Sequence, residues 1–269
     1  MSLIINIVSV TNGVMFYGKH TLANIPKCKT CLKYKKLGFS RDGLYILYPD
    51  SHPEGVLAYC DMTTDGGGWT LVLSNRRGSV NKPAVDADWA KATGTGVFTN
   101  EEPNEEGDYD LFTGLGFWNE MMGGENGGEL RYQWINADTN ETMQDFKADI
   151  ERFSEDDQFR LKLYNPRHIV GEAIAGLLLY QNLKKFSTID MDNDNTEDEF
   201  FAKVYRVPWW YGRRRYGDYE YGPCWHGSIY GGGEFEANGF ENGAYFRTTD
   251  DRPRHWLGDG VGNGKMWIR

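Results

Sequence analysis

The stretch Ala58-Tyr59-Cys60-Asp61-Met62-Thr63-Thr64-Asp65-Gly66-Gly67-Gly68-Trp69-Thr70 decides how the rest of the sequence is read. Three consecutive glycines give the backbone positive-φ freedom and let other segments approach closely. Trp69 then begins an apolar run, Trp69–Leu73, and another apolar run, Val56–Cys60, precedes the glycines. Both runs are expected to be strands. A phosphate-binding loop is excluded, because no Lys-Ser/Thr pair follows the glycines and no helix opens there. Taken alone, the stretch predicts a tight turn leading into a core.

Outward from this turn, Leu130–Ile135 and Phe159–Tyr164 also have the look of strands; in the second, Phe159, Leu161 and Leu163 alternate with Arg160 and Lys162. Gly171–Tyr180 is apolar and is expected to be a short helix or a buried strand. Residues 75–128 are rich in glycine and acidic residues and only weakly periodic. The protein holds 33 Gly, 9 Trp, 16 Tyr and 14 Phe among its 269 residues. Glycine turns with large aromatic anchors favour a loop-rich α+β or β domain over a helical bundle. From about Ile189 onward regular periodicity fades, and a long irregular region in a compact domain calls for a function or an external staple.

That region opens on Asp190-Met191-Asp192-Asn193-Asp194-Asn195. Carboxylates at every second position of a turning loop can face one centre, and oxygen ligands of this kind suit Ca²⁺. The bland alternative is a solvated acidic loop. An EF-hand is excluded: Asn195 stands where its glycine is needed and Phe201 where its bidentate glutamate is needed.

Net charge is −10, which argues against nucleic acid as a partner, since duplex binding needs a basic surface. The run Arg213-Arg214-Arg215 is a local exception, suited to forked hydrogen bonds with an anionic ligand group. No stretch of about 18 apolar residues exists, so no membrane-inserting helix is expected. Residues Met1–Tyr17 are apolar but lack a basic start and a small-residue cleavage site, making a poor signal peptide. Their alternation suits a strand that pairs with a neighbouring subunit, so residues 1–27 are expected to be a lead-in segment with an assembly contact. The main domain is expected over 28–269. The cysteines Cys28, Cys31, Cys60 and Cys224 allow two disulfides. Cys28 and Cys31 also match half of a zinc site, but no second pair completes it. His20, His52, His168, His226 and His255 show no metal or triad spacing, and neither HExxH nor G-x-S-x-G occurs. Catalysis is not expected.

Together these segments resemble the fibrinogen-related domains, as in fibrinogen globes, ficolins, tachylectins and, for the N-terminal part, intelectins. The run Tyr59–Thr70 looks like the signature of that family. Cys31, Gly38, Gly43 and Tyr45 fall at the family's spacing before it. Lys185–Asp194 looks like its calcium loop, and Ala202–Tyr211, Cys224 and Lys265–Arg269 complete the order. The resemblance implies a fibrinogen-like α+β globe with short twisted antiparallel sheets, few helices and a long irregular C-terminal region stabilised by calcium. It implies Ca²⁺ held by Asp190 and Asp192, with Asp194 direct or through water and the carbonyls near Thr196 and Asp198 completing the shell. It also implies a Cys31–Cys60 disulfide.

Two departures stand out. Phe200 or Phe201 occupies the place of the family's second-disulfide partner, leaving Cys224 to pair with Cys28 or both thiols to stay free. Twelve residues, Gly212–Pro223, separate Trp209-Trp210-Tyr211 from Cys224, and Trp225 stands between Cys224 and His226. An acetyl-type pocket is therefore in question. Aromatic faces for stacking on sugar rings are still available, so the candidate ligand residues are Tyr211, Arg214, Tyr221, Cys224, Trp225, His226 and Tyr230. The expected function is a calcium-stabilised, extracellular lectin or adhesin for a glycan or cell-surface ligand, acting as a homo-oligomer or part of a larger assembly. The same fold on a virion or injection particle, or in a purely structural role, is the alternative.

Overall fold

The structure is a computed structural model that describes residues 26–76, 82–171, 181–194, 200–211, 214–216, 219–221 and 262–269. Its described part enters through a short helix, α1 (Cys31–Lys36). The Thr30 hydroxyl caps it by accepting from the Lys33 amide, and Lys33, Lys35 and Lys36 lie in its last turn, where the helix dipole favours cations. Then follow β1 (Gly43–Leu47), β2 (Val56–Asp61) and β3 (Trp69–Asn75); α2 (Trp89–Thr93), capped by Asp88; β4 (Val97–Phe98), β5 (Leu111–Thr113) and α3 (Leu115–Met121). The long strands β6 (Gly127–Asn136) and β7 (Thr142–Glu151) lead to β8 (Leu163–Val170). Further on come α4 (Phe201–Tyr205), a small ribbon of β9 (Arg214–Tyr216) and β10 (Tyr219–Tyr221), and β11 (Gly262–Ile268). No helix among the described residues is long and apolar enough to cross a membrane.

Three of the expected strands form as β2, β3 and β6. The fourth does not: Phe159–Tyr164 is mostly loop, and β8 begins only at Leu163. Gln158 and Phe159 sit at positive φ, 51° and 49°, which no strand accommodates. Leu161 pairs with Lys184 and Leu183 across a loop instead of joining the sheet. The alternation correctly marked which side chains are buried, but an irregular segment can bury alternate residues too. The expected strand in residues 1–27 and the segment Gly171–Tyr180 fall, but for a few residues, outside the described residues.

The sheet runs antiparallel in the order β1-β2-β3-β11-β6-β7-β8. Its topology places β11, the last strand of the sequence, between β3 and β6. Both edges of β11 are therefore paired, and every residue of β3 is buried. One face carries the main core, in which aromatic rings interlock. Trp210 packs against Trp118, Phe153 and Phe186 with centroids 6.0, 5.6 and 4.9 Å away, and its indole donates to the Phe159 carbonyl at 2.8 Å. A smaller cluster of Leu44, Tyr59, Trp69, Leu71, Tyr109, Leu111 and Trp267 forms separately. Buried beside it, Arg131 pairs with Asp145 and Asp61 at 2.5 and 2.6 Å.

The glycine turn is built as its residues demand. Gly66, Gly67 and Gly68 adopt φ of 87°, 72° and 83°, and a Cβ on Gly67 would collide with the Met62 carbonyl. The Asp61 carboxylate accepts from the amides of Thr63 and Thr64 at 3.0 and 2.8 Å. Arg269 donates to the Gly67 carbonyl at 2.9 Å and lies 4.0 Å over the Trp69 ring. The Cys31–Cys60 disulfide joins α1 to β2. Cys28 is a free, buried thiol, and burial pushes its pKa up. It behaves as a small apolar side chain. Cys224 lies outside the described residues.

Candidate functional site

The acidic loop is pinned from several sides. Ser187 exchanges backbone hydrogen bonds with Trp209, and Thr188 does so with Met191. Asn193 is the central peg. Its amide donates to the Ser187 hydroxyl at 3.0 Å, its side chain donates to the Phe186 carbonyl at 2.8 Å, and its side-chain oxygen accepts from Gln158 at 2.8 Å. Sequence reading missed Asn193 and Gln158 as organisers. Gln158 is 35 positions away, and no local spacing signals that contact.

The carboxylates divide into two environments. Asp190 turns one oxygen toward the start of α2, accepting from the Trp89 amide at 2.8 Å and the Thr188 hydroxyl at 2.7 Å. Desolvation works against the Asp190 carboxylate, but the hydrogen bonds from Thr188 and Trp89 outweigh it and hold the group below its ordinary value. Asp192 and Asp194 lie beside each other, with the Asp194 amide donating to the Asp192 carboxylate at 3.3 Å. Desolvation pushes the Asp192 carboxyl up, and the Asp194 carboxylate pushes it further the same way. Asp194 in turn accepts from the Phe201 amide at 3.1 Å, at the start of α4. Among the described residues no three His, Cys, Asp or Glu side chains group as a metal-holding set; Thr196 and Asp198 lie outside them. What is described is one pair of neighbouring carboxylates, Asp192 and Asp194, with Asp190 turned toward α2; carboxylate oxygens are the donor type that a hard cation takes.

The expected ligand residues fare differently. Tyr211 is not a ligand-facing ring: it is 1% exposed. Its hydroxyl donates to the Val207 carbonyl at 3.0 Å, and it stacks with Tyr205. The aromatic run Trp209-Trp210-Tyr211 is core throughout, as large rings in a glycine-rich region tend to be. Arg214 and Tyr221 are register partners across the β9–β10 ribbon. Cys224, Trp225, His226 and Tyr230 lie outside the described residues.

Comparisons with known proteins bear on this arrangement. The sequence model of the family described as fibrinogen beta and gamma chains, C-terminal globular domain, matches residues 27–248. Fibrinogen C domain-containing protein 1 of Xenopus tropicalis is 27% identical over 210 residues, covering 70% of this chain and 38% of that protein. Angiopoietin-4 of Mus musculus is 26% identical over 186 residues, covering 69% of this chain and 33% of its own length. The chain thus spans little more than a third of the curated relatives it matches. Among solved structures, the fibrinogen-like globe domain of human ANGPTL6 superposes with a TM-score of 0.61 at 21% identity, covering 91% of this chain and 96% of that one. A lamprey fibrin D-dimer, complexed with the peptide ligand Gly-His-Arg-Pro-amide, gives 0.58 at 19% identity over 90% of this chain and 73% of that one. These structures share the fold. With the family model matching most of its length, this protein belongs to the family of C-terminal globular domains typified by the fibrinogen beta and gamma chains.

Proposed function

We propose that this protein is an extracellular binding module whose C-terminal loops are shaped by Ca²⁺ and present a site for a glycan or other surface ligand. The observation that carries the reading is the acidic loop. Asn193 fixes its backbone while Asp192 and Asp194 are held as neighbouring like charges. A bound cation would remove that repulsion. Asp192 and Asp194 would hold it, with the remaining oxygen of Asp190 and the carbonyls near Thr196 and Asp198 as further ligands. The ion would supply fixed positive charge and tie the loop to the start of α4. Support for an oxidising, extracellular setting comes from the Cys31–Cys60 disulfide. Support for ligand binding comes from family membership and from the peptide complex of the lamprey relative. Assembly with neighbouring copies through residues 1–27 is part of the same proposal.

A glycan array probed in calcium and again in chelator tests it. The expected result is a restricted set of bound glycans whose signal disappears with chelator and returns when calcium is restored. Binding that is indifferent to chelator would contradict the calcium part, and an array with no binder would contradict the glycan part.

A further inference from the structure

A second feature lies on the sheet itself. Lys265 belongs to β11, and pairing on both edges fixes its backbone opposite Ser74 of β3 and Gln133 of β6. Its neighbour Met266 points into the main core, which turns Lys265 to the other face of the sheet. On that face lies a cavity of about 410 Å³, lined by Lys265, Trp267, Arg131 and, from the segment before β5, Glu106 and Asp108. Asp42, Tyr59 and Asp61 line it too. The size lies inside the range of roughly 300–1,000 Å³ typical of small-molecule sites.

Much of this lining is already committed. Arg131 donates to both oxygens of Asp145 and to Asp61. Asp42 accepts from the Met62 amide and the Thr63 hydroxyl. Tyr59 stays protonated, since burial pushes its pKa up to about 12. The Trp267 indole N–H is sealed from solvent, so Trp267 serves as an apolar wall. Lys265 is different. It is 8% exposed, and its amine has no hydrogen-bond or ion-pair partner among the described residues, although it lines the cavity. Burial pushes its pKa down from 10.5; Asp108 opposes that shift, while Arg131 and Arg76 add to it. Glu106 and Asp108 are exposed and face solvent as well as the cavity.

A desolvated amine without a partner, beside a fixed guanidinium, is the arrangement that makes a lysine nucleophilic. Its natural target is a carbonyl carbon. The rest of the lining chooses among carbonyl compounds. With Lys265 neutral, the carboxylates of Asp42, Asp61, Glu106 and Asp108 outnumber the one cation, Arg131, so a carbonyl acid is repelled. An uncharged aldehyde meets no such repulsion, and its protonated imine restores the positive charge that this lining favours. We propose that Lys265 is a carbonyl-reactive amine and that this cavity takes up a small uncharged aldehyde. The Lys265 nitrogen attacks the carbonyl carbon; a C–N bond forms, the C=O π pair moves to oxygen, and that oxygen receives the proton that nitrogen gives up. The carbinolamine then takes a second proton at its hydroxyl, and water leaves as the nitrogen lone pair closes the C=N bond. Glu106 and Asp108 pass that proton in from solvent and afterwards face the iminium as counter-charges. Nothing is oxidised or reduced. The site shares no residue with the loop at 187–194 and needs no calcium, so it stands apart from the function proposed above.

Reductive amination of the full chain tests the site. The probe is glycolaldehyde with cyanoborohydride, which traps the iminium as a stable secondary amine, and peptide mass spectrometry follows each lysine across pH. Lys36, exposed on α1, is the internal reference. Near neutral pH Lys265 is expected to be labelled several-fold faster than Lys36, and the anionic aldehyde glyoxylate is expected to label Lys265 more slowly than glycolaldehyde does. Asp108→Asn removes the charge that opposes the downward shift, so the pH profile of Lys265 labelling is expected to move to lower pH while that of Lys36 stays in place. Mapping on the parent needs no variant, so it decides alone should Asp108→Asn fail to fold. Labelling of Lys265 no faster than that of Lys36, labelling that requires urea, a preference for glyoxylate, or a profile unmoved in a folded Asp108→Asn variant would each overturn the proposal.

Discussion

Asp61 shows how much a single residue in the glycine turn carries. It accepts from two backbone amides and pairs with Arg131, whose side chain is 2% exposed. Burial alone would push the Asp61 carboxyl up, but the hydrogen bonds from Thr64 and Arg131 prevail and hold it below its ordinary value of 3.8. A carboxylate with a depressed folded-state pKa contributes stability that is present above the unfolded value and is lost as pH falls through the folded value. Asp61→Asn is therefore expected to cost about 3 kcal/mol near neutral pH, the scale of breaking a buried pair. In urea melts across pH, the gap between variant and parent should shrink as pH drops below 3.8. A gap that is constant with pH would show that the charge of Asp61 is not what matters. The turn itself was legible, because three adjacent glycines have few other uses. The partner of Asp61 was not, since Arg131 lies 70 positions away and nothing in its local sequence marks it for burial.

Among elements, the join of α1 to β2 by Cys31–Cys60 closes a loop with a separation of 29. In the chain-entropy picture such a closure stabilises by about 3–4 kcal/mol. Replacing both cysteines by serine should lower the unfolding free energy by that amount, measured by urea denaturation without reductant; a loss near zero would mean that packing of α1 alone holds the join. Strands β2 and β3 could be read as continuous apolar runs because β3 is buried along its whole length and β2 over its last four residues. Alternation with a period of two misled at Phe159–Tyr164, where positive φ at Gln158 and Phe159 breaks the strand while Phe159, Leu161 and Leu163 remain buried. Periodicity reports burial, and burial needs no sheet. The central place of β11 was likewise hidden, since strand order is set by long-range pairing that local pattern does not encode.

Over the whole molecule, the described parts that follow the acidic loop combine regular structure with aromatic packing and tethers. Trp209 and Trp210 belong to the core, Asn193 and Ser187 bind the loop to it, and β11 ends the sequence inside the sheet. The acidic loop was legible in the sequence as a run of alternating carboxylates. The turn of Asp190 toward Trp89 was not, because it depends on where α2 packs. If Ca²⁺ organises this region, it must bind the folded protein in preference to the unfolded one and so raise its stability by mass action. Differential scanning calorimetry of the parent and of an Asp192→Asn, Asp194→Asn double variant, each in calcium and in chelator, measures this directly. Chelator is expected to lower the unfolding temperature of the parent, restored calcium to return it, and the double variant to give one temperature in both conditions. A parent whose transition is the same with and without calcium would contradict the role given to the ion.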